Sequence, residues 1–196
     1  MDINSKNYKK LKKERTLVLL KPDAVKRGLI GEIIKRFENC GLKIIGLQMV
    51  KPTRNLIDKH YPKSKEWIEN LGNNFINTCK EYNIKIDLKK DFNVNNAYEL
   101  GLKVREWLLD YMCSGPIVKI AIEGPKAVEV VRKIVGSTLP FKSPPGTIRG
   151  DFSIDNPIIA NLERRAIYNL IHASGNPKEA EYELNLWFTK KELFDI

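Results

Sequence analysis

Four short β-rich apolar runs alternate with helix-period stripes, and this alternation constrains the fold more than any other feature of the chain. Thr16 to Lys21 (TLVLLK) reads as a buried strand closed by a Pro22-Asp23 turn. Ile30, Ile33, Ile34 and Phe37 recur at i, i+3, i+4 and i+7, the stripe of an amphipathic helix that Gly41 stops. Leu42 to Lys51 reads as a second strand, which Pro52 bars from extending, and Thr53 opens a short helix through His60-Tyr61. Ile117 to Glu123 is the third strand. Pro125 stands at the first turn of the next helix, with Val128, Val131 and Val135 on one face and Gly136 at its end. A proline-rich loop over 137–150 runs into Thr147-Ile-Arg-Gly-Asp, a short helix follows between Pro157 and Tyr168, and Asn169 to His172 is the fourth strand. Asn176-Pro-Lys-Glu179 opens a last helix, with an Asn cap, Pro at the first position and Glu at the third. Glu183 falls near that helix's end.

This order suits an α+β fold, a ferredoxin-like four-stranded antiparallel sheet with helices on its faces. A doubly wound parallel sheet is also compatible with the pattern alone. Amphipathic pieces around Trp67–Tyr82 and Ala97–Met112 interrupt the layout. They read as a helical insertion over about 63–113, within a domain spanning 16–193.

Charge narrows the partners. The net charge is +10, and residues 1–15 form a basic arm of six basic and two acidic side chains. Such a balance attracts polyanions, nucleotides and nucleic acids alike. No apolar run reaches the ~20 residues of a membrane span, and residues 1–15 hold no apolar core for a secretory signal. Three widely spaced cysteines without a C-x-x-C pair point to no zinc site or disulfide framework, so a reducing cytoplasm is the expected compartment.

Chemistry has few places to reside, because the chain holds two histidines. His172 ends a β-rich run and is followed by Ala173-Ser174-Gly175, which leave space around the ring. A neutral imidazole is a competent nucleophile near pH 7, provided an acceptor fixes its second nitrogen. Glu183, returned by the capped helix, is a candidate for that acceptor. Lys21 at a strand end, Arg132 beside the Val131 stripe and Arg149 between Gly146 and Gly150 are candidate phosphate contacts. Each alone is more often a solvated surface charge.

Several blocks, in order, resemble nucleoside diphosphate kinases. They are Glu14–Val25 with Arg27–Glu38, His60-Tyr61, Ser114-Gly115-Pro116, Pro144–Phe152, Asn169–Ser174 and Glu183–Phe188. Together they cover 14–61 and 114–193, and the histidine block with the Gly-Thr-Ile-Arg-Gly-Asp run is the most specific part. The resemblance implies ping-pong transfer of a γ-phosphoryl group through a phosphohistidine on His172, oriented by Glu183 with Ser174 in support. It implies that Lys21, Tyr61, Arg132, Thr138, Arg149 and Asn169 contact the nucleotide's phosphates and sugar. It also implies Mg²⁺ carried on the nucleotide phosphates and a homo-oligomer, commonly a hexamer.

Departures from the family pattern are local. The position after Ser174, usually Asp, is Gly175. Leu108 matches an apolar base contact, whereas the family's stacking Phe falls on Val104, leaving Trp67, Phe75 and Trp107 as candidates for stacking. A second addition near 154–165 lengthens the approach to Asn169, and long forms of this kind resemble archaeal members. Two other readings accompany the enzyme: a nucleic-acid-binding module resting on the basic surface, and a role in subunit assembly for the insertion.

Overall fold

A computed structural model gives the fold for residues 13–196, so the basic arm 1–15 lies outside the described residues except for its last three. The chain divides into two compact units.

The first unit holds 13–51, 116–154 and 169–196 of the described residues. Its elements are β1 (Glu14–Leu20), α1 (Pro22–Lys26), α2 (Ile30–Asn39), β2 (Lys43–Val50), β3 (Ile117–Gly124), α3 (Ala127–Val135), α4 (Ile148–Phe152), β4 (Ile171–Ala173) and α5 (Pro177–Trp187). The sheet runs β2-β3-β1-β4 with every neighbouring pair antiparallel, which realises the ferredoxin-like expectation and removes the doubly wound alternative. β1 and β3 read as nearly unbroken apolar runs because they are the inner strands, covered on both faces. Val18, Leu20, Ile120 and Ile122 form one core with Ile33 and Phe37 of α2 and Val131 and Val135 of α3. Each such side chain, fully buried, contributes about 1.5–3 kcal/mol.

Four local expectations are corrected. The Pro22-Asp23 turn is the first turn of α1, where proline's fixed φ already suits a helix. Pro125 lies outside α3, because Lys126 takes a left-handed conformation (φ 49°) and the helix begins at Ala127. The run Thr147-Ile-Arg-Gly-Asp is helical rather than looped: Thr147 caps α4 by accepting a hydrogen bond from Gly150 N at 3.1 Å. β4 starts at Ile171, not Asn169, because Leu170 has φ 67° and Ile171 N donates to Asn169 O at 2.7 Å. That γ-turn cannot join a pleated ladder.

The second unit holds 52–115 and 155–168. Its helices are Arg54–His60, Lys65–Glu81, Leu88–Phe92, Ala97–Cys113 and Pro157–Leu162. The two long helices approach at Gly72 and Gly101, where an added Cβ would stand 1.8 Å from Ala97 O and 1.9 Å from Ile68 O. Only glycine fits such a crossing. Ile158 joins Phe75, Cys79, Val94 and Leu100 in this unit's core, so the segment near 154–165 and the segment inserted after His60 pack as one body. Among the described residues, no helix is long and apolar enough to cross a membrane.

Candidate active site

His172 is the middle residue of β4 and pairs with Leu19 of β1. Its Nε2 lies 2.8 Å from Oε1 and 3.0 Å from Oε2 of Glu183, which is 2% exposed in the middle of α5. Ser174 Oγ donates to Glu183 Oε2 at 2.6 Å and accepts from Leu17 N at 3.3 Å. A line of hydrogen bonds therefore runs from the β1 backbone to the imidazole. A carboxylate is acceptor-only, so Nε2 carries the ring's proton and the lone pair resides on Nδ1.

The ring's surroundings keep it neutral. Burial, and after it the charges of Lys21, Arg149 and Arg132, hold the His172 pKa well below its ordinary value. Its side chain retains 19% of its exposure, enough for a reactant to reach.

Lys21 is the residue that leaves β1, and its Nζ donates to Asn169 Oδ1 at 2.7 Å. Burial and the Arg149 charge lower its pKa to about 7, against the opposing pull of Asp23. Asn169 Nδ2 in turn donates to Thr138 O at 2.9 Å.

Arg149 on α4 is 7% exposed and gives its donors to four main-chain carbonyls. Nε reaches Asn169 O at 3.1 Å, Nη2 reaches Ile171 O at 2.6 Å, and Nη1 reaches Gly136 O at 3.1 Å and Ser137 O at 2.9 Å. The guanidinium fastens the segments before and after Leu170 to the end of α3 while keeping its charge near the ring. Arg132, on the last turn of α3, is exposed, and so is Thr138 in the segment beyond.

This unit thus brings together His172, Glu183, Ser174, Lys21, Asn169, Thr138, Arg149 and Arg132. The remaining candidates belong to the helical unit. Tyr61 is half-buried and stacks on Trp67, with ring centroids 6.1 Å apart. Val104 is half-buried against the cluster of Phe75 and Leu100, and Leu108 is half-buried four residues on. Phe75 is 4% exposed and packs edge-on against Phe92, so it is core, and Trp107 leans on the same cluster.

Sequence reasoning gave Glu179 to the cap of α5 and missed its place beside the turn after His172. Its Oε2 accepts from Gly175 N at 3.0 Å, rather than answering the cap residue's own N–H. The available signal was a glycine four residues before an acid at the third helical position. The charged groups drawn around the imidazole are cations, and Glu183 and Glu179 are held by the ring, Ser174 and Gly175. Such a donor set suits a phosphate better than a bare metal ion.

The chain is similar to known proteins. The sequence model of the nucleoside diphosphate kinase family matches residues 14–75 and 76–193. The nucleoside diphosphate kinase of Pyrobaculum aerophilum is 47% identical over 182 residues, 93% of this chain and 98% of that protein. That of Methanocaldococcus jannaschii is 37% identical over 183 residues, 93% and 99% of the two chains. The crystal structure of an NDP kinase from Pyrobaculum aerophilum superposes with a TM-score of 0.89 at 45% identity, covering 93% of this chain and all of that one. A transition-state mimic of the Borrelia burgdorferi nucleoside-diphosphate kinase, with bound vanadate and ADP, superposes with a TM-score of 0.73 at 33% identity over 94% of this chain and 92% of its own. The chain belongs to the nucleoside diphosphate kinase family.

Proposed function

We propose that this chain moves the γ-phosphoryl group of a nucleoside triphosphate onto His172 and from there onto a nucleoside diphosphate. The observation that carries the reading is the His172–Glu183 pair, held at 2.8 Å and set among the charges of Lys21, Arg149 and Arg132. The Nδ1 lone pair forms a bond to the γ-phosphorus, and the bond from that phosphorus to the β–γ bridging oxygen breaks. The nucleoside diphosphate departs with the electron pair on its terminal β-oxygen, and a second diphosphate reverses the step. Transfer of this kind needs alignment and charge stabilisation more than proton chemistry, and fixed cations supply both.

Glu183 keeps the proton on Nε2 and balances charge as the ring becomes phosphorylated, with Ser174 holding the carboxylate. Lys21, Arg132 and Arg149 oppose the phosphate charge, Asn169 and Thr138 contribute polar contacts, and Tyr61, Val104 and Leu108 receive the sugar and base. The divalent ion we assign is Mg²⁺, held by the nucleotide's phosphate oxygens, where it neutralises charge on the transferring group.

The same proposal reads residues 16–193 as one kinase domain carrying the helical insertion at about 63–113, acting in the cytoplasm as a homo-oligomer, with a hexamer favoured. Nucleic acid is a secondary partner of the basic surface.

The test is incubation with γ-labelled ATP and no acceptor. Label should appear on the protein, survive alkali, be lost in acid, be discharged by ADP and be missing from His172→Ala. An unlabelled wild-type chain ends the proposal.

A further inference from the structure

Gly175 is not required by its backbone, since its φ lies outside the left-handed range in which Gly28, Gly41, Gly136 and Gly146 fall. What a side chain there would meet is the far end of another. A Cβ built at Gly175 would stand 2.5 Å from Glu179 Oε2 and 3.8 Å from Arg132 Nη1. The Glu179 carboxylate therefore occupies the volume that a side chain at 175 would enter, beside the Arg132 guanidinium. It is fixed there by Gly175 N at 3.0 Å, with Asn176 Nδ2 at 3.5 Å. The Asn176 side chain in turn caps α5 by accepting from Glu179 N at 2.9 Å. Burial and the neighbouring Glu183 push the Glu179 pKa up, while Gly175 N–H and Arg132 pull it down. The group is thus electrostatically joined to the ring's carboxylate partner on one side and to a phosphate-facing arginine on the other.

We propose that Glu179 is a positioning residue, which ties down the turn after His172 and aims the Arg132 guanidinium, from space that Gly175 leaves open. The proposal rests on the phosphotransfer reading above. A carboxylate two bonds beyond a Cβ at 175 would fall in nearly the same place, so an acid is tolerated at 175 or at 179 but not at both. With both present, the flexible end of Glu179 would have to swing away and give up its tie to Gly175 N.

Four variants test this: Glu179→Gln, Glu179→Ala, Gly175→Asp and Gly175→Asp/Glu179→Ala. Each is assayed for KM and kcat with ATP and ADP, with thermal melts alongside. Glu179→Gln and Glu179→Ala should raise both KM values about fivefold and change kcat by less than about twofold, the pattern of weakened nucleotide binding. Gly175→Asp should lose more than either, and the double variant should return to within about threefold of wild type, as coupled neighbours do. A residue that only caps the helix would lower the melting temperature and leave KM unmoved. Unchanged KM in Glu179→Gln overturns the proposal, as does a double variant no better than Gly175→Asp. Should Gly175→Asp not fold, Glu179→Gln alone decides. Failure of the phosphotransfer reading would appear separately, as wild-type protein that takes no label from ATP.

Discussion

Lys21 Nζ donates to Asn169 Oδ1 across 2.7 Å, joining two residues 148 positions apart in the chain. Burial beside Arg149 leaves this ammonium with a pKa of about 7, so a large share is neutral in mildly alkaline solution before any anion arrives. An incoming phosphate restores the charged form. Nucleotide binding should therefore take up a proton at pH 8, and affinity should fall as pH rises above about 7. Calorimetry in two buffers of different ionisation enthalpy measures the uptake. Wild type should show it and Lys21→Met should not.

Glu183→Gln keeps the shape of the acceptor and removes its charge. An amide can present its NH₂ to Nε2 and move the ring's proton to Nδ1, which blocks the nucleophile. The single-turnover rate of phosphoenzyme formation should drop about 100-fold, the low end for a positioned proton partner. ADP affinity should hardly move, since in the proposed reaction His172 meets the γ-phosphoryl group, which ADP lacks. Rapid-quench labelling measures the first and equilibrium titration the second.

Arg149→Lys should be far from conservative. Three ammonium protons cannot reproduce a planar fork aimed at carbonyls of Gly136, Ser137, Asn169 and Ile171. Each buried acceptor left bare costs about 1–3 kcal/mol. The denaturant midpoint should drop sharply, with KM for nucleotides rising in whatever protein remains folded. A midpoint unchanged from wild type would show that the clamp does not contribute.

The neutral imidazole has a signature in stability. The folded pKa of His172 is depressed below its ordinary 6.5, so the unfolded chain binds the extra proton first as pH falls. Stability contributed at this position is full above pH 6.5 and declines below it. Replacing the ring by Asn should make the stability curve between pH 6.5 and 4.5 shallower than that of wild type, as urea titrations at both ends would register. Parallel curves would contradict a depressed pKa.

In the helical unit, Gly101→Ala places a methyl 1.9 Å from Ile68 O. The long helices must separate, at a cost of about 3 kcal/mol, the upper part of the range for overpacking. Gly31→Ala, where an added Cβ meets nothing within 4 Å, is the control and should be neutral or slightly stabilising.

Much of this was legible in the residues. The apolar stripes of Ile33 with Phe37 and of Val131 with Val135 mark the faces that cover the sheet, because burial imposes helical periodicity directly on sequence. The pairing of His172 with Glu183 follows from residue types and a capped helix. What escaped was carried by backbone rather than side chains. Arg149 looked like a loop cation, yet its acceptors are carbonyls, which every residue owns and no letter reveals. Thr147 is a helix cap in plain view, but the glycines and prolines around it argue for loop more loudly than one threonine argues for helix. The antiparallel order of the strands also had to come from tertiary pairing, since alternation alone permits either direction.

Leu170 takes a left-handed conformation that β-turn chemistry would normally give to glycine or asparagine, yet its side chain is completely buried among the sheet unit's core residues. The hydrophobic interior thereby compresses a spring one residue after Asn169 and two before His172. Holding such a conformation costs about 1–3 kcal/mol. Loosening the interior, by heat or by a truncated side chain far from any substrate, would let that spring relax and swing the Asn169 carbonyl out of Arg149's grip. Loss of turnover should then precede global melting, so the enzyme would stop working while still looking folded.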